Sequence, residues 1–376
     1  MFLGRRGFLA GSAAGVLARA PITRAATPLN ILIIGGTGFM GPEQVEYALA
    51  RGHRVTLVNR NRRGDLFGGK VAQLAGDLNG DMSALKGRSF DVVIDNPTTA
   101  PAWVRNVAQY LKGKVGHYIF VSTVAVYPDL SRPNIDESVA TTPMPPGVDP
   151  YNPNPEDRGK LYYALKSFSE REVQTNYPGI STIVRSGQIV GPRDDTDRLL
   201  YWVTRIARGG RVLAPGSPTA PTQIVDARDL GEWIIRLAET RTFGVFNATG
   251  PEKPLTIGEM LHGIKAVTTA GAQFTWVPAK FLVGEKVVEF NEVPVWVDPA
   301  GGWGGLYRVN IDRALAAGLT FRPLAATAKD ALDWHASRPE ADRRRTEEAQ
   351  KGIGLPPARE QALLAAWDTE QRAGKG

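Results

Sequence analysis

The stretch Leu161-Tyr162-Tyr163-Ala164-Leu165-Lys166 sets a phenol and an amine, Tyr162 and Lys166, four residues apart. On a helix that spacing places both on one face. A free phenol ionises near about 10 and is a poor base at neutrality. An ammonium held beside it favours the phenolate and lowers that value toward the working range. The adjacent Tyr163 reads as an unrelated core aromatic, and the Tyr-Lys spacing by itself recurs by chance. Upstream, Phe120-Val121-Ser122-Thr123 closes an apolar run with hydroxyls, and Thr123 can donate to an oxygen that a phenol deprotonates. Together the three side chains could move a proton on or off an alcohol oxygen.

Such groups need a scaffold. Asn30 to Gly36 is an apolar run bounded by glycine, which predicts a strand buried on both faces. It runs into Gly35-Gly36-Thr37-Gly38-Phe39-Met40-Gly41, and an amphipathic helix is expected from about Pro42 to Arg51. Gly35 permits the tight turn, Gly38 lets a pyrophosphate approach the backbone, and Gly41 lets helix and strand pack closely. The helix N-terminus offers its free N–H groups to phosphate. Between a strand and a helix, this glycine pattern predicts a dinucleotide cradle. The next strand, Arg54 to Val58, ends at Asn59-Arg60-Asn61-Arg62-Arg63. An acidic residue usually holds the ribose hydroxyls there, whereas Asn59, Arg60 and the arginines that follow suit a 2′-phosphate. NADP is therefore favoured over NAD.

Further strands are expected at Val71–Ala75, Phe90–Asp95 and His117–Val121, with a helix over Ala102–Leu111. That alternation predicts an α/β protein with a Rossmann-like, doubly wound parallel sheet. Ligands of such sheets bind at the carboxyl ends of the strands. Asp77 follows one of them and can accept from an adenine amino group. The cradle domain is expected over residues 27–190 and 222–249, with a smaller substrate-binding region over 191–221 and 250–376.

The glycine pattern 35–41, the segment Phe120–Tyr127, and Tyr162 with Lys166 resemble the extended short-chain dehydrogenases/reductases, the NAD(P)-dependent epimerase/dehydratase family. The resemblance covers residues 29 to about 250 well and the rest loosely. It implies Tyr162 as general base, Lys166 as the residue that holds the ribose and lowers the tyrosine pKa, and Thr123 as the ligand of the reacting oxygen. It implies cofactor contacts at Gly35, Thr37, Gly38, Phe39, Met40, Gly41, Asn59, Arg60, Asp77, Leu78, Asn96, Tyr162, Lys166, Ser186 and Ile189. Arg193, Arg198 and Gln223 are candidate substrate contacts beside Thr123, each with a salt bridge or helix cap as the competing role. Ser186 stands where the family has proline, and Pro128 where glycine is common. Dehydratases of the family carry an acidic pair directly after the catalytic threonine. Here Val124 and Ala125 occupy those positions, which disfavours dehydration by that route. A Pro- and Asn-rich connection from Pro128 to Arg158 is either a lid over the site or a passive surface loop. Trp296 and the stretch Gly301-Gly302-Trp303-Gly304-Gly305-Leu306-Tyr307 hold aromatics beside glycines, which suit stacking on a sugar ring, with core packing as the competing role. Relatives pair through helices beside the Tyr-Lys helix, which implies a homodimer.

Residues 1–26 read as a leader: Arg5-Arg6, a weakly apolar stretch from Phe8 to Ala18, and small residues around Ala25-Ala26. Arg-Arg-Gly-Phe-Leu resembles a twin-arginine export signal, the competing reading being an ordinary basic N-terminus. The expected location is periplasmic or secreted through the twin-arginine machinery, with the cytoplasm as the alternative. The chain has 376 residues, no cysteine and a net charge of +7, of which four positive charges lie in the leader. The remaining +3 is too mild and scattered for a nucleic-acid partner. Without cysteine there is no disulfide or thiolate nucleophile. His53, His117, His262 and His335 lack metal-ligand spacing, so no metal is expected, and no apolar run is long enough to span a bilayer. The favoured function is an NAD(P)-dependent epimerase or oxidoreductase of a sugar or polyol, with a tightly bound cofactor that is recycled within the site. An NADP-dependent carbonyl reductase with exchangeable cofactor, and a non-catalytic dinucleotide-binding protein, are the alternatives.

Overall fold

The computed structural model describes residues 27–374, so the leader read over residues 1–26 lies outside the described residues. The apolar run of the sequence becomes β1 (Asn30–Ile34), whose isoleucines and leucine are fully buried or nearly so. It is joined by β2 (Arg54–Asn59), β3 (Ala72–Ala75), β4 (Phe90–Asp95), β5 (Val115–Thr123) and β6 (Ser181–Ser186), and by a last strand, Gly244–Ala248. These form one seven-stranded sheet, in the order Gly244–Ala248, β6, β5, β4, β1, β2, β3. Every neighbouring pair is parallel. The strand order reverses between β1 and β4, which opens a crevice at their carboxyl ends.

Helices cover both faces, as a parallel sheet requires. α1 (Gly41–Ala50) follows the glycine loop and packs against the helix Ala227–Thr240 on one face. α2 (Pro101–Leu111) and α3 (Tyr162–Asn176) pack together on the other. A separate apolar core lies beyond the sheet, built on Trp202, Trp296 and the helices Arg198–Ala207 and Ile257–Ala266, with the parallel strands Gly210–Pro215 and Ala272–Val277. No helix among the described residues is long and apolar enough to cross a membrane.

The proline-rich connection before α3 is pinned to neighbouring elements. Tyr151 Oη donates to Glu172 Oε2 at 2.7 Å, Arg105 stacks over the Tyr151 ring at 3.4 Å, and Thr142 N–H donates to the Val126 carbonyl at 2.7 Å.

What fixes α3 against the sheet is a buried charged network. The Arg185 guanidinium, at the end of β6, donates from Nε and Nη2 to the Glu170 carboxylate of α3, with Nη2 at 2.7 Å from Oε2. Ser122 Oγ of β5 donates to Glu170 Oε1 at 2.5 Å. Arg185 Nη1 donates to Tyr127 Oη at 2.9 Å, and that hydroxyl donates to Asn247 Oδ1 at 2.7 Å. The Glu170 and Arg185 residues are 3% and 5% exposed. Charges this deep are tolerated because each is paired and hydrogen-bonded, and removing one leaves the other uncompensated. Glu170→Ala is expected to cost about 3–5 kcal/mol in denaturant unfolding. The double replacement Glu170→Leu with Arg185→Met should cost much less. A Glu170→Ala protein within about 1 kcal/mol of the parent would show that the pair does not anchor α3.

Candidate active site

A cavity of about 780 Å³ lies at the carboxyl ends of β1 to β4. Gly35 turns the chain there with φ +75°, where a side chain would be strained and would press on Pro97 at 2.9 Å. A Cβ at Gly41 would stand 2.4 Å from the Gly36 carbonyl, so α1 can approach the turn only as glycine. At Gly38 a Cβ would meet nothing nearer than 3.4 Å, so the bare backbone there leaves space open above the helix N-terminus. Asn59 Oδ1 accepts from Asn61 N–H at 2.6 Å, while its buried Nδ2 has no partner. Asn59 lines the cavity, with that orphan amide nitrogen covered behind the wall. Arg63 Nη1 donates to the Thr37 carbonyl at 2.7 Å, drawing a cation across the glycine loop, and Arg60, Arg62 and Arg158 line the same cavity. Open glycine loop, orphan amide and basic rim together fit a dinucleotide, which would be held by the 35–41 loop at its phosphates and by Asn59 at a ribose.

The structure distributes the expected cofactor residues unevenly. Gly35, Thr37, Gly38, Asn59, Arg60, Asp77 and Leu78 line the cavity. Phe39 borders an adjoining hollow, whereas Met40 and Gly41 are buried beneath the loop. Asn96 turns its amide to Gln44: each side-chain NH₂ donates to the other's oxygen, at 2.7 and 3.1 Å, so neither amide points at a ligand. Ser186 Oγ donates to the Ser122 carbonyl at 2.9 Å, a tie between strand ends, and Ile189 packs partly buried against the core on the α1 side. Arg62 and Arg63, read from the sequence as suited to a 2′-phosphate, line the cavity, and so do Asn79, Trp103 and Arg158, which the sequence did not point to. Only the arginines after β2 carried a signal in the sequence.

A second cavity, about 650 Å³, lies further along the same edge of the sheet, over the ends of β5 and β6. Thr123 and Tyr162 both line it, so the proposed hydroxyl donor and proton acceptor are brought together. Tyr162 opens α3, is 36% exposed, and its hydroxyl bonds to no described residue. Burial, and then the neighbouring Tyr163, hold its pKa above the ordinary phenol value. Lys166 lies one turn deeper and is 4% exposed. Its Nζ donates to the carbonyls of Thr98 and Val121, both at 2.7 Å, and sits 4.6 Å from the Phe120 ring centre. Burial pulls its pKa down to about 8, against the pull of the Asp95 and Glu170 carboxylates. The amine thus joins the loop after β4, beside the first cavity, to β5, beside the second. It does so through the backbone and without a hydrogen bond to the Tyr162 hydroxyl.

On the substrate side, Arg198 and Gln223 line the second cavity and Arg193 does not. Arg193 pairs with Glu43 and Glu46 of α1, at 3.2 and 3.5 Å. Both polar ends of the Gln223 amide are taken by the backbone of Val309, at 3.1 Å each. Val124 and Ala125 form part of the wall directly beyond Thr123, so no acid stands at those two positions. Thr249, Glu289, Phe290 and Tyr307 complete the pocket with Trp303, whose ring lies 5.7 Å from that of Tyr163. Trp303 and Tyr307 come from the glycine-flanked aromatic stretch, whereas Trp296 is fully buried in the core; the other residues carried no motif and meet only through the fold. Among the described residues no cluster of three or more His, Asp or Glu could hold a metal.

Comparison with known proteins places these features in context. Residues 99–248 match the model of the NAD dependent epimerase/dehydratase family. A 2-alkyl-3-oxoalkanoate reductase of Stenotrophomonas maltophilia is 27% identical over 225 residues, covering 55% of this chain and 64% of that protein, so the match spans under two thirds of its length. Among solved structures, the Bordetella bronchiseptica enzyme WbmG, in complex with NAD and UDP, superposes with a TM-score of 0.58 at 15% identity, over 83% of this chain and 95% of that one. A UDP-N-acetylglucosamine 4-epimerase from Methanobrevibacter ruminantium, in complex with UDP-N-acetylmuramic acid, does so with a TM-score of 0.56 at 16% identity, over 83% and 99%. At these identities the structural likeness establishes the fold: a Rossmann-like parallel sheet.

The buried amine gives a prediction with a definite sign. Lys166 ionises at about 8 in the folded chain and near 10.5 when unfolded, so its burial opposes folding below 8 and the penalty is relieved between the two values. The stability of the parent relative to Lys166→Met should therefore rise with pH across that window, by up to about 1.4 kcal/mol per pH unit. Denaturant unfolding of both proteins from neutrality upward measures it, and a flat difference would contradict the assignment.

Proposed function

We propose that the chain is an NAD(P)-dependent enzyme of the epimerase/dehydratase family that oxidises or reduces a hydroxyl-bearing carbon of a sugar or sugar derivative. The observation that carries this reading is the placement of Thr123 and Tyr162 in a cavity next to the glycine-lined cleft, with Lys166 between the two. A nicotinamide dinucleotide, when bound, supplies the acceptor and donor of hydride. The chain supplies the proton chemistry. Thr123 donates a hydrogen bond to the reacting oxygen, and Tyr162 takes the proton from it, or returns it in reduction. Lys166 holds positive charge beneath them, which favours the phenolate that burial alone disfavours. Val124 and Ala125 offer no proton, which supports redox chemistry at one carbon over loss of water.

The basic rim at Arg60, Arg62 and Arg63, with Asn59 where an acid would select NAD, favours NADP. The Arg5-Arg6 leader supports export of the folded protein with its cofactor inside. Outside the cytoplasm no dinucleotide pool is expected, so we favour an epimerase that takes hydride from a carbon and returns it. A carbonyl reductase with exchangeable cofactor is the second reading, favoured by the likeness to the S. maltophilia reductase and by the apolar residues Val288, Val297 and Leu306 on the cavity wall.

Unfolding the purified protein and measuring released dinucleotide separates the two. About one equivalent per chain, together with turnover that consumes no added cofactor, supports recycling; an empty cleft with turnover that follows added NADPH supports the reductase. Under either reading Tyr162→Phe should lower turnover by roughly 100- to 10,000-fold while leaving dinucleotide binding intact. Activity near the parent level in that variant would remove Tyr162 from the mechanism.

A further inference from the structure

We infer that the substrate carries a carboxylate, received by Arg198, Thr249 and Tyr307; this rests on the second cavity being the substrate site. Arg198 is the only cation among the residues that line that cavity. It opens the helix Arg198–Ala207, with its guanidinium over the Phe290 ring at 4.4 Å. Its Nε is buried without a partner, and it forms no hydrogen bond or ion pair with any described residue. Arg198 is half-buried, and the buried arginines elsewhere behave differently: Arg185, Arg205 and Arg228 each hold a carboxylate. The adjacent Asp197 does not answer Arg198: its Oδ2 is held by Thr346 and Lys351, and its buried Oδ1 has no partner.

Two more residues of the same wall carry orphan groups: Thr249 and Tyr307 line the cavity, and their hydroxyls are covered and have no partner among the described residues. An unmade hydrogen bond at a buried donor is costly, and three such groups belong to the wall of this one cavity. A guanidinium only donates, and each hydroxyl can donate. An acceptor-only group can therefore satisfy all three together, and a carboxylate matches the planar fork of arginine.

The charge balance argues for one negative charge. A nucleoside diphosphate carries at least two, and the lining residues offer one cation, with the Glu289 carboxyl on the same wall. Burial holds Glu289 above the ordinary carboxylate range, and nearby negative charge would raise it further. The remaining wall, with Val288, Val297, Leu306 and Trp303, takes an apolar ring face or a short alkyl chain. The chemical class is a compact hydroxy or oxo carboxylic acid, its reacting oxygen at Thr123 and Tyr162 and its carboxylate at Arg198.

The test uses the cofactor-loaded protein and pairs of probes that differ only in charge: glucuronate against glucuronamide, and cyclohexanecarboxylate against cyclohexanecarboxamide, with UDP-glucose as the dianionic comparison. Binding is read by saturation-transfer NMR and competition. At least one carboxylate should bind about tenfold or more tightly than its amide and more tightly than UDP-glucose. Arg198→Met should erase that preference, and Tyr307→Phe should reduce it several-fold. Carboxylates that do not bind, that bind no better than the amides, or that bind more weakly than UDP-glucose would overturn the inference, as would a preference that survives in folded Arg198→Met. The wild-type comparison stands even if a variant fails to fold. Because the readout is binding, Tyr162→Phe should keep the preference. A lost preference beside Tyr162-dependent turnover defeats this inference alone, whereas a kept preference beside full Tyr162→Phe activity defeats the catalytic reading alone.

Discussion

The site depends on a buried ion pair. Glu170 and Arg185 are too deep to be hydrated, so α3 must lie where guanidinium and carboxylate meet and where Ser122 and Tyr127 complete their hydrogen bonds. Tyr162, Lys166 and Glu170 fall at four-residue intervals on one face of that helix. Once Glu170 is held, the other two are placed: the amine beneath the strand ends, the phenol at the cavity mouth. Their exposures, 3% for Glu170, 4% for Lys166 and 36% for Tyr162, describe one helix face rising from core to solvent.

Buried polar atoms without partners are scattered through the described residues, and four of them belong to residues that line the two cavities. Within the Glu170–Arg185 network every charged group is answered. At the cavities the reverse holds: Asn59 Nδ2 at the first, and Arg198 Nε, Thr249 Oγ1 and Tyr307 Oη at the second, lack partners. Other buried atoms, among them the Tyr177 hydroxyl, Asp194 Oδ2, Asp197 Oδ1 and Trp296 Nε1, also lack partners and belong to residues that line neither cavity. A protein tolerates such groups where a ligand will satisfy them, and their donor character describes that ligand.

The sheet was legible because its signals are local. Apolar runs ending in glycine or Asn-Pro mark β1 and β4, and the 35–41 glycines carry a steric requirement that the Gly36–Gly41 contact bears out. Residue types in a motif do not reveal which side chains other groups have already claimed. Asn96 is consumed by Gln44, Gln223 by the Val309 backbone and Arg193 by two glutamates of α1, all partners distant in sequence. Lys166 was read as the partner of the Tyr162 phenol, but its nearest acceptors are two backbone carbonyls, which no side-chain pattern encodes. The wall of the second cavity was hidden for the same reason. Arg198 meets Phe290 and Tyr307 only because the segment from 288 to 307 folds back over the strand ends, and that segment has no helical or strand periodicity.

The central claim is that Tyr162 works as a phenolate against a fold that, by burying it, opposes its ionisation. Ultraviolet difference titration of the tyrosines, with and without bound oxidised dinucleotide and in parallel with Tyr162→Phe, tests it directly. The account predicts one tyrosine that ionises below about 10 in the loaded protein and is missing from the variant. Identical titration curves for the loaded parent and the loaded variant would contradict it.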